Sequence, residues 1–147
     1  MSRTIEIRPA NLTDLDVARS WLSDAGLPIA DLTPEHMQNF LVATVDNSPV
    51  GMIGLERFGV VGLLRSLIVD PTARSDGIGG RLVDALESKA SELGVTELWL
   101  LTIDADPYFS RMDYVVMERT AAPDVIRNTA EFSTLCPGNA ALMRKVL

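Results

Sequence analysis

One stretch constrains the whole chain: Leu63-Leu64-Arg65-Ser66-Leu67-Ile68-Val69-Asp70-Pro71, running on into Thr72-Ala73-Arg74-Ser75-Asp76-Gly77-Ile78-Gly79-Gly80-Arg81-Leu82. Residues 63–69 are a nearly continuous apolar run, the pattern of a strand covered on both faces. Pro71 has no N–H for a ladder and stops the strand. Gly77, Gly79 and Gly80 then open a long helix and let the backbone approach a ligand closely. The first N–H groups of a helix have no partner within it and lie at the positive end of its dipole. Such a pattern makes an anion site, and phosphate is the anion expected there.

The elements around this stretch predict an α+β fold with a mixed, mostly antiparallel sheet in one domain, residues 1–147. Residues 4–8 alternate as a strand, and 12–25 carry a helical apolar stripe ended by Gly26. Thr33-Pro34 reads as a second helix start. Residues 40–45, 50–58 and 63–69 are three strands with short links, hence an antiparallel meander, with Gly51 and Gly54 marking bulges or crowded packing. The glycine helix, 77–93, leads to a strand at 95–102, apolar on both faces. Strand, helix and strand make a βαβ unit with a right-handed crossover, whose two strands are parallel. Short helices are expected at 104–112 and 123–130, and strands at 114–117 and 140–146.

Thirteen basic against 20 acidic residues give a net charge of −7, which argues against a general nucleic-acid binder. A single cysteine, Cys136, excludes an intrachain disulfide and a cysteine zinc site, and no metal is expected. The polar first ten residues do not read as a signal peptide, and no apolar run approaches the ~18 residues of a membrane span. A cytoplasmic protein is the expectation, with a homodimer left open.

Among phosphate-binding templates, the Walker loop fails because Gly79 is followed by Gly80-Arg81 rather than lysine and a hydroxyl residue. The dinucleotide fingerprint fails because Leu82 stands where its third glycine belongs, and because a meander precedes the motif. What remains is Arg74-Ser75-Asp76-Gly77-Ile78-Gly79 at the head of a long helix after a buried strand. With the surrounding order of elements, this resembles the acetyl-CoA segment of the GNAT superfamily of N-acetyltransferases.

The resemblance implies acetyl-CoA as co-substrate and a small-molecule amine as acceptor. It places the pyrophosphate on the N–H groups of Ser75, Asp76, Gly77, Ile78, Gly79 and Gly80, with Arg74 and Arg81 flanking it. The pantetheine arm would add like a strand beside Leu67, Ile68 and Val69, where their strand splays from that at 95–102. The family's tyrosine acid lies in a Phe-Tyr-x-x-x-Gly-Phe/Tyr pattern. Here, aligned on Tyr114, the tyrosine position holds Phe109, the glycine position holds Asp113, and Tyr108 is displaced by about 100° around a helix. Tyr108 is therefore either the acid or a packed core tyrosine.

Acetyl transfer to an amine needs a neutral amine and a polarised carbonyl oxygen. Strand alternation puts Glu56 on an otherwise apolar face with Met52, Gly54 and Phe58, which makes it the candidate base. Arg65 and Ser66 interrupt a buried run and point to opposite faces by alternation; Arg65 suits an anionic substrate group and Ser66 the acetyl oxygen. His36 and Cys136 are read as structural.

Leu64-Arg65-Ser66-Leu67 and the late segment Ile126-Arg127-Asn128-Thr129-Ala130-Glu131-Phe132, with Leu135-Cys136-Pro137, are similar to the arsenic-resistance-associated N-acetyltransferases. That narrower resemblance implies detoxification of an amino-acid-like or arsenic-containing amine, with Arg65, Arg127 and Glu131 gripping a zwitterion by matched charge. The departures at Phe109 and Asp113 keep open an alternative, a regulatory module that binds acetyl-CoA without turnover.

Overall fold

Two tight turns build the meander. Asp46 and Asn47, at φ 50 and 70, form a two-residue hairpin turn, and Gly59 (φ 65) with Val60 forms the next. The computed structural model describes residues 5–11, 14–24, 39–70, 77–103, 105–129, 132 and 140–147. Its strands are β1 (Ile5–Pro9), β2 (Phe40–Val45), β3 (Ser48–Phe58), β4 (Val61–Val69), β5 (Glu97–Thr102), β6 (Val115–Met117) and β7 (Ala141–Val146). Its helices are α1 (Asp14–Asp24), α2 (Ile78–Glu92), α3 (Asp106–Ser110) and α4 (Asp124–Arg127), with a 3-10 turn at Arg119–Ala121.

The seven strands form one sheet in the order β1-β2-β3-β4-β5-β7-β6. Every neighbouring pair is antiparallel except β4 and β5, the parallel pair joined through α2. The α+β class, the meander and the βαβ unit are thus as the sequence predicts. Boundaries differ locally. β3 starts at Ser48 because the two-residue turn lets Ser48 and Pro49 pair with Val45 and Thr44, and the register slips between Ala43 and Thr44 to admit the proline. The helix expected after Thr33-Pro34 lies outside the described residues.

One face of the sheet packs on α2: Ile53, Leu55, Leu64, Leu98, Leu100 and Met143 meet Ile78, Leu82, Val83 and Leu86. The opposite face carries a smaller cluster, Leu63, Trp99 and Leu142 under Ala122 and Ile126. Arg8 pins α1 to β1 through Asp14, whose carboxylate also accepts the Asn11 N–H. That Arg8 hydrogen bond holds the Asp14 carboxyl below its ordinary range. Among the described residues no helix is long and apolar enough to cross a membrane.

Two backbone positions have opposite logic. At Gly54 an added methyl would lie 2.3 Å from the buried Phe40 ring, whereas Asp113 takes φ 74, a conformation that suits glycine. Gly54→Ala should destabilise the protein by about 1–3 kcal/mol through overpacking, and Asp113→Gly should stabilise it by up to ~1 kcal/mol by relieving the left-handed backbone. Urea unfolding of the two variants should move the midpoints in opposite directions.

Candidate active site

β4 pairs with β3 as Glu56↔Leu63, Leu55↔Leu64 and Gly54↔Arg65, then as Met52↔Ile68 and Gly51↔Val69. Ser66 and Leu67 therefore face Ile53 alone, a β-bulge. Ser66 sits at φ 60, the left-handed region that residues with a side chain seldom adopt. The extra residue inverts the strand's alternation: Leu64 faces the α2 core before it, Leu67 and Val69 after it. On its other edge, the parallel ladder to β5 runs Val61↔Glu97, Gly62↔Leu98, Leu63↔Trp99 and stops. Beyond that point the two strands diverge, and half-buried Leu67, Ile68 and Val69 lie beside the opening.

The bulge also corrects the expectation that Arg65 and Ser66 point apart, because the left-handed serine turns its hydroxyl to within 3.0 Å of Arg65 Nε, which donates to it. Arg65 Nη1 donates to Glu56 Oε1 at 2.7 Å. The Arg65 side chain is 0% exposed and that of Glu56 14%. Glu56, Arg65 and Ser66, three separate candidates in the sequence, are one connected group. The guanidinium expected to hold a substrate anion is engaged with groups of its own chain.

α2 begins on Gly77 (φ 71), which gives no side-chain cap. The first helical bond is Arg81 N–H to Gly77 C=O at 3.2 Å, so the N–H groups of Ile78, Gly79 and Gly80 have no acceptor within the helix. Space over Gly77 and Gly80 is open, and Arg81 is exposed. A methyl on Gly79 would meet the Tyr108 hydroxyl at 2.5 Å and Val69 Cγ2 at 3.8 Å. The end of β4, the first turn of α2 and α3 therefore converge at one place.

Phe109 is buried against Tyr114, edge to face, in the α2-side core, while Tyr108 is 36% exposed with its hydroxyl over the α2 terminus. Of the two readings of Tyr108, the packed-core one belongs instead to Phe109. Burial, with a smaller contribution from the Asp84 charge, raises the Tyr108 phenol above its ordinary pKa, so it is a proton donor at neutral pH.

Arg127 lies on α4, its exposed side chain paired with Asp124 one turn earlier. Arg74, Ser75, Asp76 and Glu131 lie outside the described residues, as do His36 and Cys136. Among the described residues no cluster of histidine, cysteine or carboxylate side chains could hold a metal ion. What sequence reasoning missed is the link between Glu56 and Arg65; once the Gly59-Val60 turn fixes Glu56 opposite Leu63, Arg65 is the diagonal neighbour on the same face. It also missed Glu87, whose carboxylate accepts from Tyr114 Oη at 3.0 Å and Lys145 Nζ at 2.9 Å and so ties α2 to the residue just before β6 and to β7.

Residues 8–112 match the family model described as the acetyltransferase (GNAT) family. An uncharacterised N-acetyltransferase of Chlorobaculum tepidum is 33% identical over 108 residues, 73% of this chain and 67% of that protein. In fold, N-acetylglutamate synthase from Neisseria gonorrhoeae, solved with coenzyme A and L-arginine, matches with a TM-score of 0.85 at 20% identity. That match covers 99% of this chain but 34% of the synthase, so the chain spans about a third of that protein's length. Rv2747 of Mycobacterium tuberculosis, solved with CoA and NLQ, matches with a TM-score of 0.80 at 23% identity over 97% of this chain and 99% of that one.

The open space over Gly80 separates ligand binding from stability. Gly80→Ala should leave the melting temperature unchanged or higher, since alanine favours helix by up to ~1 kcal/mol. It should weaken coenzyme A binding by about tenfold or more, ~1.4 kcal/mol, as read by calorimetric titration.

Proposed function

The chain belongs to the GNAT family of acetyltransferases and is an N-acetyltransferase, and on that premise we propose that it moves the acetyl group of acetyl-CoA to the amine of a small, amino-acid-like molecule at the opening between β4 and β5. The observation that carries this reading is the coincidence of three features: the ladder stops at Leu63↔Trp99, the bulge follows at Ser66, and the uncapped α2 terminus stands at the end of the same strand. Residues at that terminus fit the co-substrate. The N–H groups of Ile78, Gly79 and Gly80, which have no acceptor within the helix, suit a pyrophosphate, with exposed Arg81 nearby. Arg74, Ser75 and Asp76, which precede that terminus in the sequence, are assigned to the same anion, Ser75 and Asp76 through their backbone N–H groups. Leu67, Ile68 and Val69 suit the amides of the pantetheine arm, as one strand suits another.

Transfer proceeds directly between the two bound substrates. The neutral amine attacks the thioester carbon, charge gathers on the carbonyl oxygen, and the carbon–sulfur bond breaks. Glu56 takes the amine proton, directly or through water. Ser66, at the bulge, faces the acetyl oxygen. Tyr108 returns a proton to the departing sulfur, which the place of its hydroxyl over the α2 terminus supports.

For the acceptor, Arg127 supplies an anion grip, because an exposed pair with Asp124 is weak and can be exchanged for a substrate carboxylate. Glu131 would hold an ammonium group. Support for an amino-acid-like acceptor comes from the fold neighbour solved with coenzyme A and N-acetyl-glutamate. The arsenic-resistance reading, an arsenic-containing analogue of such an amine, rests on the Leu64-Arg65-Ser66-Leu67 segment and the late sequence segment.

Thiol release from acetyl-CoA, measured over a panel of L-amino acids, tests the whole reading. Glu56→Gln keeps an acceptor for Arg65 and should lower kcat by about 10²–10⁴ with coenzyme A affinity within about twofold of wild type. Unchanged turnover removes Glu56 from the reaction.

A further inference from the structure

We propose that Arg65 is a positioning residue of the transfer site: its guanidinium joins Glu56 to Ser66 and so holds the candidate base and the bulge in one fixed arrangement. The inference rests on the reading of the β4–β5 opening as the place of transfer. It goes beyond that reading by giving Arg65 a task that needs no contact with substrate.

The placement of Arg65 is hard to explain by packing alone. A guanidinium cannot shed its charge in a protein, and burying one beside a carboxylate commonly stabilises no better than apolar side chains of the same volume. Yet the Arg65 side chain is fully covered, on the strand whose remaining buried positions are apolar. Two of its N–H groups go in two directions. Nη1 reaches across to Glu56 on β3 at 2.7 Å, and Nε reaches along its own strand to Ser66 Oγ at 3.0 Å. Glu56 stands before the register slip and Ser66 within it.

Ser66 needs such a partner. A left-handed backbone at a residue with a side chain persists only where its surroundings hold it. Receiving a directed hydrogen bond on its hydroxyl fixes the Ser66 side chain, and with it the local path of β4 where the strand leaves β5. The planar fork of arginine can serve two acceptors at fixed angles at once; a lysine ammonium keeps the charge but not that geometry. Because Glu56 and Ser66 answer to one rigid group, displacing Arg65 disturbs both together. The same burial separates this task from gripping a substrate anion, since the guanidinium has no exposed surface while Glu56 keeps some.

The test compares wild type, Arg65→Lys, Ser66→Ala and the double variant. The readouts are coenzyme A affinity by calorimetry, melting temperature, and kcat and KM for acetyl transfer to the L-amino acid that gives wild type its fastest thiol release. Arg65→Lys should lose about tenfold or more in kcat, keep KM within about threefold and keep coenzyme A affinity within about twofold. A role in packing alone would lower the melting temperature without that split. Ser66→Ala should also lose kcat, and the double variant should lose no more than about twofold beyond Arg65→Lys, because the two residues act as one unit. Arg65→Lys with kcat within about twofold of wild type overturns the inference. So does a tenfold rise in KM at unchanged kcat, which would make Arg65 a substrate anchor, and so do losses that multiply in the double variant. If Arg65→Lys does not fold, a Ser66→Ala enzyme with unchanged kcat overturns the inference on its own. Wild type that binds coenzyme A but releases no thiol with any amine overturns the reading of the site, a different failure from an active enzyme indifferent to Arg65.

Discussion

A parallel ladder that ends after Leu63↔Trp99 is the constraint from which the rest follows. Strands that part inside a sheet leave polar backbone facing a gap, and such groups must find partners. Here β4 keeps its β3 ladder throughout, interrupted only by the bulge, so its loss of pairing is confined to one edge. A molecule carrying amides can complete that edge, which is why the opening suits a pantetheine chain. The bulge is what makes the divergence possible, since an extra residue bends a strand and raises its twist.

The second dependency runs through glycine. Gly51 lies 3.0 Å from the Ile68 carbonyl by its missing methyl, and Gly79 leaves room for the Tyr108 hydroxyl. Gly51 removes side-chain bulk where β3 and β4 meet Leu82 of the core, and Gly79 removes it where α2 meets Tyr108. Around them the core is conventional: Leu82, Val83 and Leu86 of α2 fill the sheet face behind β4 and hold the helix terminus at its end. Rigid apolar packing behind and open backbone in front is how one short segment both belongs to the fold and meets a ligand.

Much of this was legible in the sequence. The apolar run 63–69, the proline stop and the glycine cluster determine strand, loop and helix, and the short turns determine the meander. The bulge was not legible, because alternation assumes that every residue on β4 faces one on β3, and nothing in Leu-Arg-Ser-Leu marks Ser66 as left-handed. Reading Arg65 and Ser66 as facing apart followed from that assumption. Glu56 was singled out for a good reason, a carboxylate on an apolar face, but its partner required the register of the 59–60 turn. Tyr108 and Phe109 show the reverse case. One helical step correctly separates them, while the choice of which faces the core depends on Tyr114 and on the missing side chain of Gly79.

The position of β7 has a consequence for how the molecule is made. It lies between β5 and β6, and among the described residues β6 pairs with no other strand. Both neighbours leave the ribosome before β7 does, so during synthesis β5 presents an unpaired, largely apolar edge until the residues between Thr102 and β7 have been made, the kind of exposed strand that invites association between nascent chains. The half of the sheet built from β1 to β4 can assemble early from neighbours in sequence, whereas closure over Trp99 waits for a strand that must insert rather than add.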